Sequence, residues 1–155
     1  MTEELEIHFV VATRDHLSSI VSLLADDQLG STREIAGDEL DECYLAAFGC
    51  IETDSNNELI VAEHNGSVVA TLQITYAANL THKGAMRATI EGVRVDSAFR
   101  SLGVGTRLLH WSIDRCRSRG CQVVQLTCDL IRPEALKFYE GLGFKHSHAG
   151  LKLWL

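Results

Sequence analysis

Proline is nearly absent: Pro133 is the only one in 155 residues, and no Ser/Gly/Pro-rich tract breaks the chain. Nothing reads as a linker, so residues 1–155 are expected to form one domain of ordinary size. Long apolar runs are missing too. The opening "MTEELEIHFVVA" is acidic and is expected to be neither a signal peptide nor a membrane span. The five cysteines, at 43, 50, 116, 121 and 128, are odd in number and include no C-x-x-C pair. That pattern argues against a disulfide framework and against a zinc site, and it points to a reducing cytoplasm without a bound metal. Basic residues are outnumbered, 14 Lys+Arg against 21 Asp+Glu, for a net charge of −7. Bulk attraction to nucleic acid or to an anionic membrane is therefore not expected.

What is present suits a soluble domain. Hydrophobic residues make up 46%, and a chain of this length buries about two-thirds of its extended surface. The charge is uneven. Residues 1–99 hold seventeen acids and five Lys/Arg, whereas residues 100–155 hold four acids and nine Lys/Arg. A basic second half suits a small polyanionic ligand and an acidic first half a cationic one, unless the whole imbalance is only surface solvation.

Periodicity orders the elements. A first strand is read over 7–13, with Thr13 capping a helix from Arg14 whose apolar face is Leu17, Ile20, Val21 and Leu24. A second helix is read over 37–48. Asn65-Gly66 between two β-branched runs, within 58–78, marks a two-residue hairpin turn. A long strand over 86–96 loses its alternation at Glu91-Gly92, where a bulge would restore register. A helix then spans Val104 to Arg119, with Val104, Leu108, Leu109, Ser112 and Cys116 on one face and Gly120 after its end. A short strand at 122–128 precedes a helix opened by Pro133 and closed by Gly141 or Gly143. "FKHSHAGLKLWL" reads as a last strand. The order β-α-α-β-β-β-α-β-α-β describes an α+β or α/β domain around a mixed sheet.

Between the long strand and the third helix lies "RSLGVG", Arg100 to Gly105. The phosphate-loop pattern G-x-x-x-x-G-K-[ST] is absent, and the dinucleotide pattern G-x-G-x-x-G fails at Leu108. A diphosphate seated on the helix N-terminus remains. Unpaired amides and the helix dipole favour anionic oxygens there, glycines permit close approach, and Arg100 adds charge. The alternative is a plain strand-to-helix turn.

"VRVDSAFRSLGVGTRLL" resembles the acetyl-CoA-binding motif of the GNAT-type N-acetyltransferases, and "RPEALKFYEGLGF" resembles their later helix. The two motifs stand in that family's order, so the resemblance covers essentially the whole chain. It implies a three-layer acyl-CoA N-acyltransferase fold: a mixed, mostly antiparallel sheet of six to seven strands flanked by four helices. It also implies acetyl-CoA as cofactor, coenzyme A as product, and an amine acceptor on a small molecule or on a peptide or protein. Carried over, the amides of Ser101, Leu102, Gly103, Val104, Gly105 and Thr106 would hold the pyrophosphate. The strand residues Val93, Arg94 and Val95 would border the pantetheine arm. Where many members have asparagine this chain has Arg132, which either reaches cofactor phosphates or caps the surface.

Direct transfer in a ternary complex needs a base for the ammonium and an acid for the leaving thiolate. Glu91, beside the predicted bulge, is the candidate base, with a substrate anchor or a rim carboxylate as its other readings. Tyr139 is the candidate acid, being a neutral O–H donor at working pH; otherwise it is a core tyrosine. Cys128 reads as a buried structural thiol, and His110 as solvent-facing. His146 and His148, on one face of the last strand, read as ordinary polar strand residues or as lining of the acceptor pocket. Asp129 and Arg132 could form a loop ion pair or border the cofactor. The acids Asp26, Asp27, Asp38, Glu39, Asp41 and Glu42 suggest a polyamine-like acceptor or a solvated face. The rival function is a non-catalytic acyl-CoA-binding or regulatory module on the same fold. The ending "LKLWL" could pair across a homodimer or complete the core.

Overall fold

Strand residues that alternate between two apolar faces need cover on both sides, and the helices supply it. In the computed structural model, which describes residues 5–27, 29–37 and 39–155, five strands form one sheet in the order β1–β2–β3–β4–β5. They are β1 His8–Val11, β2 Asn57–His64, β3 Ser67–Ala78, β4 Met86–Val95 and β5 Val123–Leu126. The first four pair antiparallel and β5 lies parallel to β4. The longer helices are α1 Leu17–Ala25, α2 Glu42–Thr53, α3 Val104–Ser118 and α4 Pro133–Gly141.

Neighbouring residues of β2 show the two layers. Ile60 and Ala62 join the cluster under α3, with Val104, Leu108, Leu109 and Cys116, and with Phe138 and Tyr139 of α4 against it. Val61, between them, joins the cluster under α1 and α2, with Leu17, Ile20 and Phe48. The sheet is thus the middle layer. The predicted α3 face is fully buried, and Gly120 follows at φ +78°. The Asn65-Gly66 turn has both residues at positive φ, as its hairpin requires.

Three boundaries differ from the sequence reading. Thr13 precedes a 3₁₀ turn, Arg14–His16, where the Thr13 amide donates to His16 Nδ1 at 2.9 Å; α1 proper starts at Leu17. The second helix begins at Glu42 because the Asp41 carboxylate accepts the Cys43 amide at 2.9 Å, and it runs on to Thr53. Asp38, part of that expectation, lies outside the described residues. The third difference is larger. Residues 144–155 form no strand, so among the described residues the sheet has five strands rather than six or seven. Leu151, Leu153, Trp154 and Leu155 are exposed. Alternation alone does not make a strand: its amides need a ladder partner, and β5 pairs only with β4 among the described residues.

Candidate active site

The parallel pair β4–β5 holds only from Arg87↔Val123 to Ile90↔Leu126. There β5 ends, while β4 runs on to Val95. Glu91 to Val95 therefore lack a ladder partner on that side among the described residues, and a slot opens between the two strands. The predicted bulge sits at its start. Thr71↔Arg94 and Gln73↔Glu91 bracket a register shift in which Gly92 and Val93 face the single residue Leu72. Gly92 takes φ +61°, the left-handed position of a bulge that glycine occupies without strain.

At the other end of the slot the chain turns into α3. Ser101 has φ +63° and Gly103 φ +80°, and Gly103 caps the helix with no side-chain bond. Among the described residues, the main-chain amides from Ser101 through Thr106 donate to no acceptor; the first bond is Arg107 N–H to Gly103 O at 3.0 Å. A row of free N–H groups at the positive end of a helix is an anion cradle. Gly105 brings α3 close to its neighbours: a Cβ there would stand 3.4 Å from Val95 and 3.5 Å from Phe138.

Arg100 does not lie free beside this cradle. Its Nε donates to Val95 O at 3.1 Å, and its Nη2 reaches Asp26 O at 3.3 Å and the Asp26 carboxylate at 3.5 Å. It fastens the turn to β4 and to the end of α1. The Val93 carbonyl accepts from Arg94 Nη1 at 2.8 Å.

Tyr139, on α4, packs between Phe138 and Phe144, with ring centroids 5.3 and 6.0 Å away. Its hydroxyl bonds to no other described residue. Burial raises its pKa, the Cys128 thiol adds to this, and Arg94 and Arg132 oppose it. The phenol is therefore held protonated. Burial also raises the half-buried Cys128 thiol, which makes it a poor nucleophile. Glu91 is exposed beside the bulge and makes no ion pair with another described residue.

The sequence reading missed one cluster here. Arg132 does not pair with Asp129, whose carboxylate accepts the Ile131 amide at 3.1 Å. Arg132 Nη2 instead lies 2.7 Å from Asp27 Oδ2, and Arg94 Nε lies 3.1 Å from the same oxygen. Burial disfavours the Asp27 carboxylate, but the Gly30 amide and the two arginines outweigh it and hold its pKa below the usual value. Three distant segments meet at this point, and no local spacing announces that. The placement of His146 and His148 is corrected: with no strand over 144–155 they share no strand face, and both are exposed. His110 is exposed as expected.

Comparison with known proteins bears on the family and the fold. The acetyltransferase (GNAT) family profile matches residues 18–144. An aminoalkylphosphonate N-acetyltransferase of Salmonella typhimurium is 26% identical over 138 residues, 88% of this chain and 84% of that protein. A glucosamine 6-phosphate N-acetyltransferase of Arabidopsis thaliana is 28% identical over 115 residues, 72% of this chain and 75% of that protein. A crystal structure described as a transcriptional regulator from Bacillus halodurans superposes with a TM-score of 0.94 at 48% identity, covering 97% of this chain and all of that one.

Proposed function

Because the chain belongs to the GNAT family of acetyltransferases and transfers an acetyl group from acetyl-CoA to an amine, we propose how its residues divide that work. The free amides of Ser101 through Thr106 hold the cofactor pyrophosphate, and this row of unpaired donors is the observation that carries the assignment. The pantetheine arm lies in the slot along Val93, Arg94 and Val95, taking ladder positions that β5 leaves open. Arg100 shapes the turn rather than meeting the phosphates head-on.

At the bulge end the thioester stands near Glu91. The Glu91 carboxylate, exposed and unpaired, takes the proton of the incoming ammonium directly or through water. The neutral nitrogen attacks the carbonyl carbon, and the Val93 amide beside the bulge polarises the carbonyl oxygen. As the C–S bond breaks, the Tyr139 hydroxyl gives its proton to the thiolate, and coenzyme A leaves as the thiol. No covalent enzyme intermediate is required.

We also take residues 1–155 as one such domain. Its five cysteines are all unpaired, which favours a reducing cytoplasm. Among the described residues no helix is long and apolar enough to cross a membrane. A homodimer through the exposed residues 151–155 belongs to the same proposal, and a monomer mass in light scattering would remove it. The function is tested by release of coenzyme A thiol from acetyl-CoA with a panel of amines. Turnover that depends on the amine and vanishes without it is expected. Tight acetyl-CoA binding with no transfer to any amine would leave only a binding module.

A further inference from the structure

Asp27 is surrounded by more positive charge than it can neutralise. One of its oxygens serves both Arg94 and Arg132, at 3.1 and 2.7 Å, while the other accepts the Gly30 amide at 2.5 Å. Two guanidinium groups thus share one carboxylate. Arg94 is only 14% exposed, yet its Nε makes no aligned hydrogen bond. Each guanidinium offers five N–H donors in a planar fork; among the described residues Arg94 spends one on the Val93 carbonyl and Arg132 one on Asp27.

Of the acids expected to attract a cationic acceptor, Asp26 faces Arg100, Asp27 is held by Arg94 and Arg132, and Asp41 caps α2. Position separates the arginines from the cofactor cradle. Val95 faces α3, where Gly105 packs on it, and its neighbour Arg94 turns to the opposite face, meeting Asp27 just beyond the end of α1. Arg132 arrives from the N-terminus of α4, the helix that carries Tyr139. The patch therefore lies on the α1 side of β4, close enough to Tyr139 for both arginines to act on its phenol.

We propose that Arg94 and Arg132 bind an anionic group on the acceptor, phosphoryl or carboxylate, so that the substrates are amines that also carry an acid. This rests on the acetyl-transfer reading above. The anion takes the place beside the arginines that Asp27 fills, and the paired guanidinium forks grip it through charge-assisted bonds. The amine at the other end of the acceptor is then held toward Glu91 and the thioester.

The test compares O-phosphoethanolamine, β-alanine, ethanolamine and 1,3-diaminopropane as acceptors for the full chain, following thiol release. An acid-bearing amine should exceed ethanolamine by about tenfold or more in kcat/KM, and the better of the two identifies the anion. Arg94→Gln, which keeps the main chain that borders the pantetheine arm, and Arg132→Gln should each raise KM for that acceptor about tenfold, and KM for acetyl-CoA should change far less. Calorimetry of propylphosphonate and propionate with the coenzyme A complex reads the anion site without turnover, and the same variants should abolish the heat. Melting temperatures check that the variants fold. Equal or better use of ethanolamine or the diamine overturns the proposal, as does a loss of acetyl-CoA affinity with acceptor KM unchanged. Transfer to neutral amines without anion preference sinks this inference alone. Anion binding without transfer to any amine sinks the acetyl-transfer roles and leaves the anion site standing.

Discussion

Tyr139 and Glu91 can be separated by what each loses. The Tyr139 phenol is kept protonated by burial, so its proton is available to a leaving thiolate across the neutral range. Tyr139→Phe should lower kcat by about 100-fold while KM for acetyl-CoA stays within about twofold; an unchanged kcat at every pH would end the acid role. Glu91 faces solvent at the bulge and is free to meet an ammonium. Glu91→Gln should slow turnover most at low pH, where the amine is hardest to deprotonate. If only acceptor KM rises, Glu91 is an anchor instead. Both residues could be proposed from the sequence because each sits inside or beside a motif. The Asp27 cluster could not: the partners of Asp27 come from β4 and α4, far apart in sequence, and the acid run around it reads equally as solvated surface.

Among the elements, the N-terminus of α3 bears most of the cofactor assignment. Gly103 sits at φ +80°, where a Cβ costs about 1 kcal/mol or more. Gly103→Ala should lower Tm by roughly 2–4 °C and weaken acetyl-CoA binding, because the turn that aims the amides is strained. Gly105→Val should do worse, since branches beyond the Cβ position would press on Val95 and Phe138 and push α3 from β4. A variant that binds acetyl-CoA as tightly as the parent would move the diphosphate elsewhere. Periodicity placed this element well: the α3 start, its buried face and the β4 bulge all lie where the alternation and glycines put them. It failed for 144–155, where leucines alternate as in a strand but no ladder partner receives them.

At the scale of the molecule, one buried carboxylate ties sheet to helix. Glu58 of β2 accepts two bonds from Arg115, one from Arg119 at 3.2 Å and one from the Tyr76 hydroxyl at 3.0 Å, with Arg119 stacked on the Tyr76 ring. Burial opposes its charge, but Arg115, Tyr76 and Arg119 outweigh it and hold its pKa below the usual carboxylate range. Asp27 is held low in the same sense. For a carboxylate whose folded pKa is depressed, the stabilisation is complete above the unfolded value, about 4, and is lost as pH falls through the folded one. Thermal stability should therefore hold from neutrality to about pH 5 and decline below about pH 4. Glu58→Gln should cost about 3 kcal/mol at pH 7 and flatten that acid decline; an unchanged melting curve would show the cluster to be dispensable. Acetyl-CoA at about 100 times its Kd should add about 2.7 kcal/mol, a rise of roughly 5–10 °C, whereas ATP and NAD should not.

The sequence by itself determined the identity and order of the elements up to α4, because a period of two or of 3.6 and a glycine in a left-handed turn are local properties of the chain. It also carried the cofactor motif, since a loop and the helix that follows it are contiguous. Tertiary structure alone decided which side chains meet. The Asp27 cluster, the turning of Arg100 onto Val95 and Asp26, and the Glu58 knot join residues up to about a hundred positions apart, and a pattern read along one chain contains no distance across it. The unpaired end at 144–155 was decided there as well, because a strand exists only when another strand takes its hydrogen bonds.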